Sequence, residues 1–67
     1  MEVTIKISDQ QIQILKYLES GLTQKEISHK MKIELTTLKS IIYIMNRQWG
    51  CRNATNLISF AIRNEII

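Results

Sequence analysis

Leu38, Ile41, Ile42, Met45 and Trp49 stand at offsets of 0, 3, 4, 7 and 11 in the middle of a 67-residue chain. This is the 3.6-residue period of a helix with one apolar side, and it constrains everything around it. An apolar side of that length has to be covered, and the chain is short. A domain of this size buries roughly 60% of the surface its unfolded form exposes, so its core is thin. Cross-links cannot make up the difference. Cys51 is the single cysteine, and the single histidine, His29, lies 22 positions away, so neither an intramolecular disulfide nor a zinc set is expected. Stability must come from helix packing or from association with another chain.

The flanking segments supply three more helices. Ser8 and Gln11 have the spacing of a capping box, and Ile12, Leu15 and Leu18 follow as an apolar stripe with Ile14 one step off it. Ser20-Gly21 ends that helix. Thr23 and Glu26 form a second box, opening a short helix over Gln24–Met31 with Ile27 and Met31 on its apolar side and Leu22 ahead of the cap as a staple. Lys32-Ile33-Glu34 is then a tight turn into the central helix, which runs from Leu35 to Trp49 and stops at Gly50. Asn53 caps a fourth helix, with Ala54, Leu57, Ile58, Ala61 and Ile62 at offsets of 0, 3, 4, 7 and 8. Ahead of all four, Val3–Ile7 alternates apolar and polar residues, as an extended arm or short strand would. The chain has no proline, no internal repeat and no low-complexity segment. The expected fold is a compact all-α four-helix domain with short loops and an extended arm at residues 1–7.

Charge is unevenly spread. Residues 23–52 hold Lys25, Lys30, Lys32, Lys39, Arg47 and Arg52 against only Glu26 and Glu34, whereas the remainder is slightly acidic. A basic centre suits an anionic partner such as DNA, although a mixed solvated surface has the same composition. No apolar run reaches the roughly 18 residues of a membrane span, and the first residues lack the apolar region of a signal peptide. The cytoplasm is the expected location. No nucleophile has a base at readable spacing and no phosphate loop is present, so no enzyme activity, cofactor, metal or small-molecule ligand is expected.

Two helices joined by a three-residue turn fit a helix-turn-helix over residues 23–49, with no wing. The two helices of that motif cross closely and need a small residue near the crossing. Ser28 provides it, within a wall of Ile27, Met31, Ile33, Leu38 and Ile41. On the opposite face of the third helix lie Thr36, Lys39, Ser40, Tyr43 and Arg47. Periodicity alone leaves both a helix-turn-helix and an unspecialised bundle open.

A resemblance separates them. Ile7-Ser8, Ile14-Leu15, the block Gly21-Leu22-Thr23-Gln24-Lys25-Glu26-Ile27-Ser28, then Ile33, Thr37-Leu38-Lys39, Gly50, Arg52-Asn53, Ala54-Thr55-Asn56-Leu57 and Ala61 resemble the DNA-binding domain of LuxR-type (GerE-type) transcription regulators. The likeness spans Ile7 to Ile67. It implies that Lys39 points into the major groove, where a lysine can donate to guanine O6 and N7. It implies phosphate contacts at Thr37 and Lys25, which position a protein without specifying sequence. Thr36, Ser40, Tyr43 and Arg47 share the face of Lys39 and are further DNA candidates. His29 is expected on the exposed side of the second helix, as surface or a phosphate contact.

In the family the fourth helix forms the dimer contact. Residues 53–65 are its counterpart here, with Asn56, Phe60, Arg63 and Asn64 on the expected outer side. Phe60 and Ile44 both fall off the core stripes of their helices. The sequence also departs from the family pattern. Glu34 stands where Ser or Thr usually caps the reading helix, Ile41 where His is frequent, Gln48 where Lys is frequent, and Lys32 where the turn often has Gly. Gln11 replaces a Glu. Cys51 takes the place of a small apolar residue, and Trp49 is expected to pack.

Two functional classes follow. In the first the chain is a dimeric transcription regulator that binds an inverted repeat in double-stranded DNA; Met1 and the arm favour a stand-alone chain over an excised piece. In the second it is an interaction module that heterodimerises with a longer LuxR-type regulator, or docks to RNA polymerase, without reading DNA. Glu34, Ile41 and Ile44 support the second.

Overall fold

The computed structural model describes residues 7–67. The arm expected over residues 1–7 lies, apart from Ile7, outside the described residues. Four helices follow one another: α1 (Asp9–Glu19), α2 (Gln24–Met31), α3 (Leu35–Trp49) and α4 (Ala54–Arg63). Neighbours in sequence pack on one another, and α4 returns against α1 to close the bundle.

Each start is chemically capped except one. Ser8 Oγ accepts from Gln11 N–H at 3.1 Å while Ser8 N–H donates to Gln11 Oε1 at 3.0 Å. Thr23 and Glu26 repeat the arrangement at 3.2 and 2.9 Å. Asn53 Oδ1 accepts from Asn56 N–H at 2.9 Å. Such caps satisfy amide donors that the helix itself leaves unpaired, each worth about 1 kcal/mol. Glu34, at the head of α3, makes no capping hydrogen bond.

The four helix ends share one device. Gly21, Lys32, Gly50 and Glu65 all adopt positive φ, at 92°, 56°, 66° and 56°. In each case the next residue's N–H donates back to the carbonyl five positions earlier: Leu22 to Tyr17, Ile33 to Ser28, Cys51 to Asn46 and Ile66 to Ala61, at 2.8–3.2 Å. These four following residues are apolar, half-buried and packed on the core. Each helix thus ends by a left-handed residue that turns the chain and a hydrophobic one that plugs it in.

The core is Ile14, Leu15 and Leu18 of α1, Ile27 of α2, Leu38, Ile42 and Met45 of α3, and Leu57 and Ala61 of α4. Two expectations need correcting. Ile14 is not off the stripe but fully buried. The reason is that α1 packs against both α2 and α4, so its buried arc is wider than a single-neighbour stripe. Ile62 is 53% exposed rather than core. That end of the core is packed instead by Ile66 and Ile67, which follow the left-handed turn at Glu65. Ser28, the small residue expected at the crossing of α2 and α3, is 5% exposed, and its hydroxyl donates to Lys25 O at 2.7 Å.

Candidate nucleic-acid interface

The interface is built on the turn between α2 and α3. Lys32 N–H donates to His29 O at 3.2 Å and Ile33 N–H to Ser28 O at 3.1 Å, which closes α2 and redirects the chain within three residues. Ile33 and Leu35 then pack on the core while Lys32 and Glu34 stay in solvent. Leu38, fully buried, fixes the roll of α3. With Leu38, Ile42 and Met45 turned inward, the residues between them have to face outward.

That outward face contains what the sequence assigned to it. Thr36, Thr37, Lys39, Ser40, Tyr43 and Arg47 are all exposed on α3, and Lys25 is exposed in the first turn of α2. Arg47 Nη1 donates to Tyr43 Oη at 3.1 Å, with its guanidinium carbon 5.8 Å from the ring centroid. The pair is one turn apart, and the contact biases the ring toward the arginine by roughly a few tenths of a kcal/mol. Lys39, Ser40, Tyr43 and Ile44 line a shallow cleft of about 560 Å³ on this face. A second depression, of about 380 Å³, is lined by Lys25, Ser28, His29, Lys32, Ile33 and Leu35 behind the turn.

Sequence reasoning did not join His29 and Lys32 to Lys25. The signal was present, since Lys25 and His29 are spaced by four on one helix. Ile44 falls off the core stripe, and its place beside Tyr43 follows from the same spacing, one turn beyond Ser40. Ile41, by contrast, is half-buried and packs on the core. The apolar residue at that position is part of the scaffold.

On α4, Asn56, Arg63 and Asn64 are exposed. Asn64 is also the C-cap, its Nδ2 donating to Phe60 O at 2.8 Å. Phe60 is not a free projecting ring: it is half-buried and stacked on Trp49, with ring centroids 5.1 Å apart and planes inclined by 14°. The large exposed apolar side chain of α4 is Ile62. Cys51 is half-buried, its thiol 3.7 Å from Trp49 O.

Among the described residues there is no group of three or more His, Cys, Asp or Glu placed to hold a metal ion, and no helix is long and apolar enough to cross a membrane. No curated protein and no solved structure matches the chain. The family model of the bacterial regulatory proteins of the luxR family (GerE) matches residues 6–61, which covers all of α1, α2 and α3 and most of α4. That match spans well over half of the chain, so the chain belongs to the luxR family of bacterial regulatory proteins, and its four helices form that family's helix-turn-helix domain for binding DNA in transcription regulation.

Proposed function

We propose that this chain reads a specific DNA sequence by seating α3 in the major groove, and does so as a dimer on an inverted repeat. The observation that carries the reading is the outward face of α3, where Thr36, Thr37, Lys39, Ser40, Tyr43 and Arg47 stand exposed without an acidic residue among them. Lys39 is the base-reading residue, donating to guanine O6 and N7. Thr37 and Lys25 bind phosphate on either side and set the register. Arg47 positions Tyr43 and adds positive charge.

The dimer contact is assigned to α4, through Asn56, Phe60, Arg63 and Asn64, extended by the exposed Ile62. A two-fold pair would space the reading helices roughly 34 Å apart, one turn of duplex. The alternative, an interaction module that heterodimerises with a longer regulator or docks to RNA polymerase without reading DNA, has less support from Ile41, which is half-buried against the core.

Fluorescence anisotropy on random and selected duplexes, between about 50 and 200 mM salt, tests the reading. Phosphate contacts must appear as affinity that falls steeply with salt. Lys39→Ala should cost about 1–3 kcal/mol on the selected site and little on random DNA. Equal loss on both would demote Lys39 to a phosphate contact. For the dimer, Ile62→Lys leaves the Trp49–Phe60 stack intact and should halve the mass measured by sedimentation. An unchanged mass refutes the α4 contact.

A further inference from the structure

The basic and polar groups of α3 account for phosphate and guanine, but they do not account for Tyr43 and Ile44. These side chains are 59% and 50% exposed, and they sit together in the cleft that Lys39 and Ser40 complete. The two make a small apolar patch in the middle of an otherwise polar and basic face, where a base edge rather than a phosphate would meet it. A phosphate gains nothing from it. On the floor of the major groove one base carries an apolar group, thymine with its 5-methyl.

We propose that the Tyr43–Ile44 cleft is a thymine-methyl receptor, so that the protein reads a thymine beside the guanine taken by Lys39. The proposal rests on the DNA-reading function argued above and specifies the site that function recognises. Charge complementarity brings the cleft to DNA, since Lys39 forms its edge and Arg47 stands one turn beyond Tyr43. Preorganisation favours it as well. The hydrogen bond from Arg47 biases the Tyr43 ring toward this position before binding, so some of the rotamer freedom lost when a methyl group packs against it is already given up. The register follows from helix geometry. Tyr43 lies four residues past Lys39 and Ile44 four past Ser40, a rise of about 6 Å. Base pairs are stacked about 3.4 Å apart, so the thymine falls one or two pairs from the guanine.

The test begins with selection of bound duplexes from a random library. Each thymine in one half-site is then replaced by deoxyuridine, which removes the methyl and nothing else. Loss of one buried methyl should weaken binding about fourfold, at a single position within two pairs of the guanine whose preference disappears in Lys39→Ala. Ile44→Ala, an exposed position whose substitution leaves the core untouched, should bind thymine and deoxyuridine sites equally. A selected site without thymine at that spacing overturns the proposal. So does a neutral effect of every deoxyuridine, or an unchanged thymine preference in Ile44→Ala. In those outcomes a surviving Lys39-dependent preference leaves the DNA-reading function standing. Complete absence of salt-sensitive binding removes both.

Discussion

Replacing Lys32 by glycine should make this domain more stable, although it deletes a side chain and adds nothing. Lys32 holds φ at 56° and ψ at 43°, in the left-handed region. For a residue with a Cβ that conformation costs about 1–2 kcal/mol relative to right-handed backbone. Glycine escapes the cost but loses about 0.5–1 kcal/mol more entropy on folding. At their midpoints the two terms leave roughly 0.75 kcal/mol of net stabilisation, which in a domain this small raises the melting temperature by roughly 3–6 °C. Thermal denaturation followed by circular dichroism measures it, with Lys32→Ala as the essential control. Alanine removes the same ammonium group and keeps the Cβ, so it should melt no higher than the parent chain. Both variants lose the same charge from the cleft behind the turn, so they should weaken DNA binding equally. If the glycine and alanine variants melt together, the left-handed turn at Lys32 does not exist and the account of how α2 hands over to α3 fails.

Three further outcomes follow from the same geometry. Glu34→Ser supplies the cap that α3 lacks, worth about 1 kcal/mol, and gives up a charge–dipole attraction of about 0.3–1 kcal/mol; stability should change little while affinity for random DNA at low salt rises, and an unchanged affinity would place Glu34 away from phosphate. A double-mutant cycle between Trp49→Ala and Phe60→Ala should return a coupling of about 0.5–1.5 kcal/mol, and emission of Trp49, the single tryptophan, should shift to the red in Phe60→Ala; additive losses would refute the stack. Glu26 is held below its ordinary pKa of 4.5, chiefly by the Thr23 backbone N–H, then by the Thr23 hydroxyl and the charge of Lys30. Its contribution is therefore present above pH 4.5 and lost as pH falls through the lower folded value. Glu26→Gln keeps an acceptor for the cap, so its urea midpoint should fall less steeply over that acid window.

Much of the scaffold was legible because local chemistry and the helical period pointed the same way. The boundaries of α2 and α3 follow directly from the Thr23–Glu26 box, the three-residue turn and Gly50. Where the reading slipped, the deciding factor was a neighbour in space. Ile14 is core because α1 touches two helices, and a wheel drawn for one neighbour leaves it out. Ile62 is exposed because residues beyond α4 turn back to pack the end of the core, through a glutamate in a conformation that sequence assigns to glycine. The ring of Phe60 looked free because its partner, Trp49, lies on another helix.

The same distinction bears on the candidate site. Which residues face outward on α3 could be read from period alone, since Leu38, Ile42 and Met45 fix the roll. What those residues do together could not. Tyr43 is a solvated aromatic in the sequence and stays exposed in the structure, but there Arg47 donates a hydrogen bond to it and Ile44 adds apolar surface beside it. A lysine alone distinguishes guanine and leaves neighbouring positions open. A lysine beside an apolar patch could, as proposed, discriminate two base pairs at once, because the patch would favour a methyl group over a polar base edge. On that proposal, specificity draws on the apolar residues of the exposed face as well as on its charged ones. Glu34 bears on the same division through the Glu34→Ser variant: if the acid at the head of α3 stands near phosphate, its removal should raise affinity for random and selected DNA alike and leave the preference between bases unchanged.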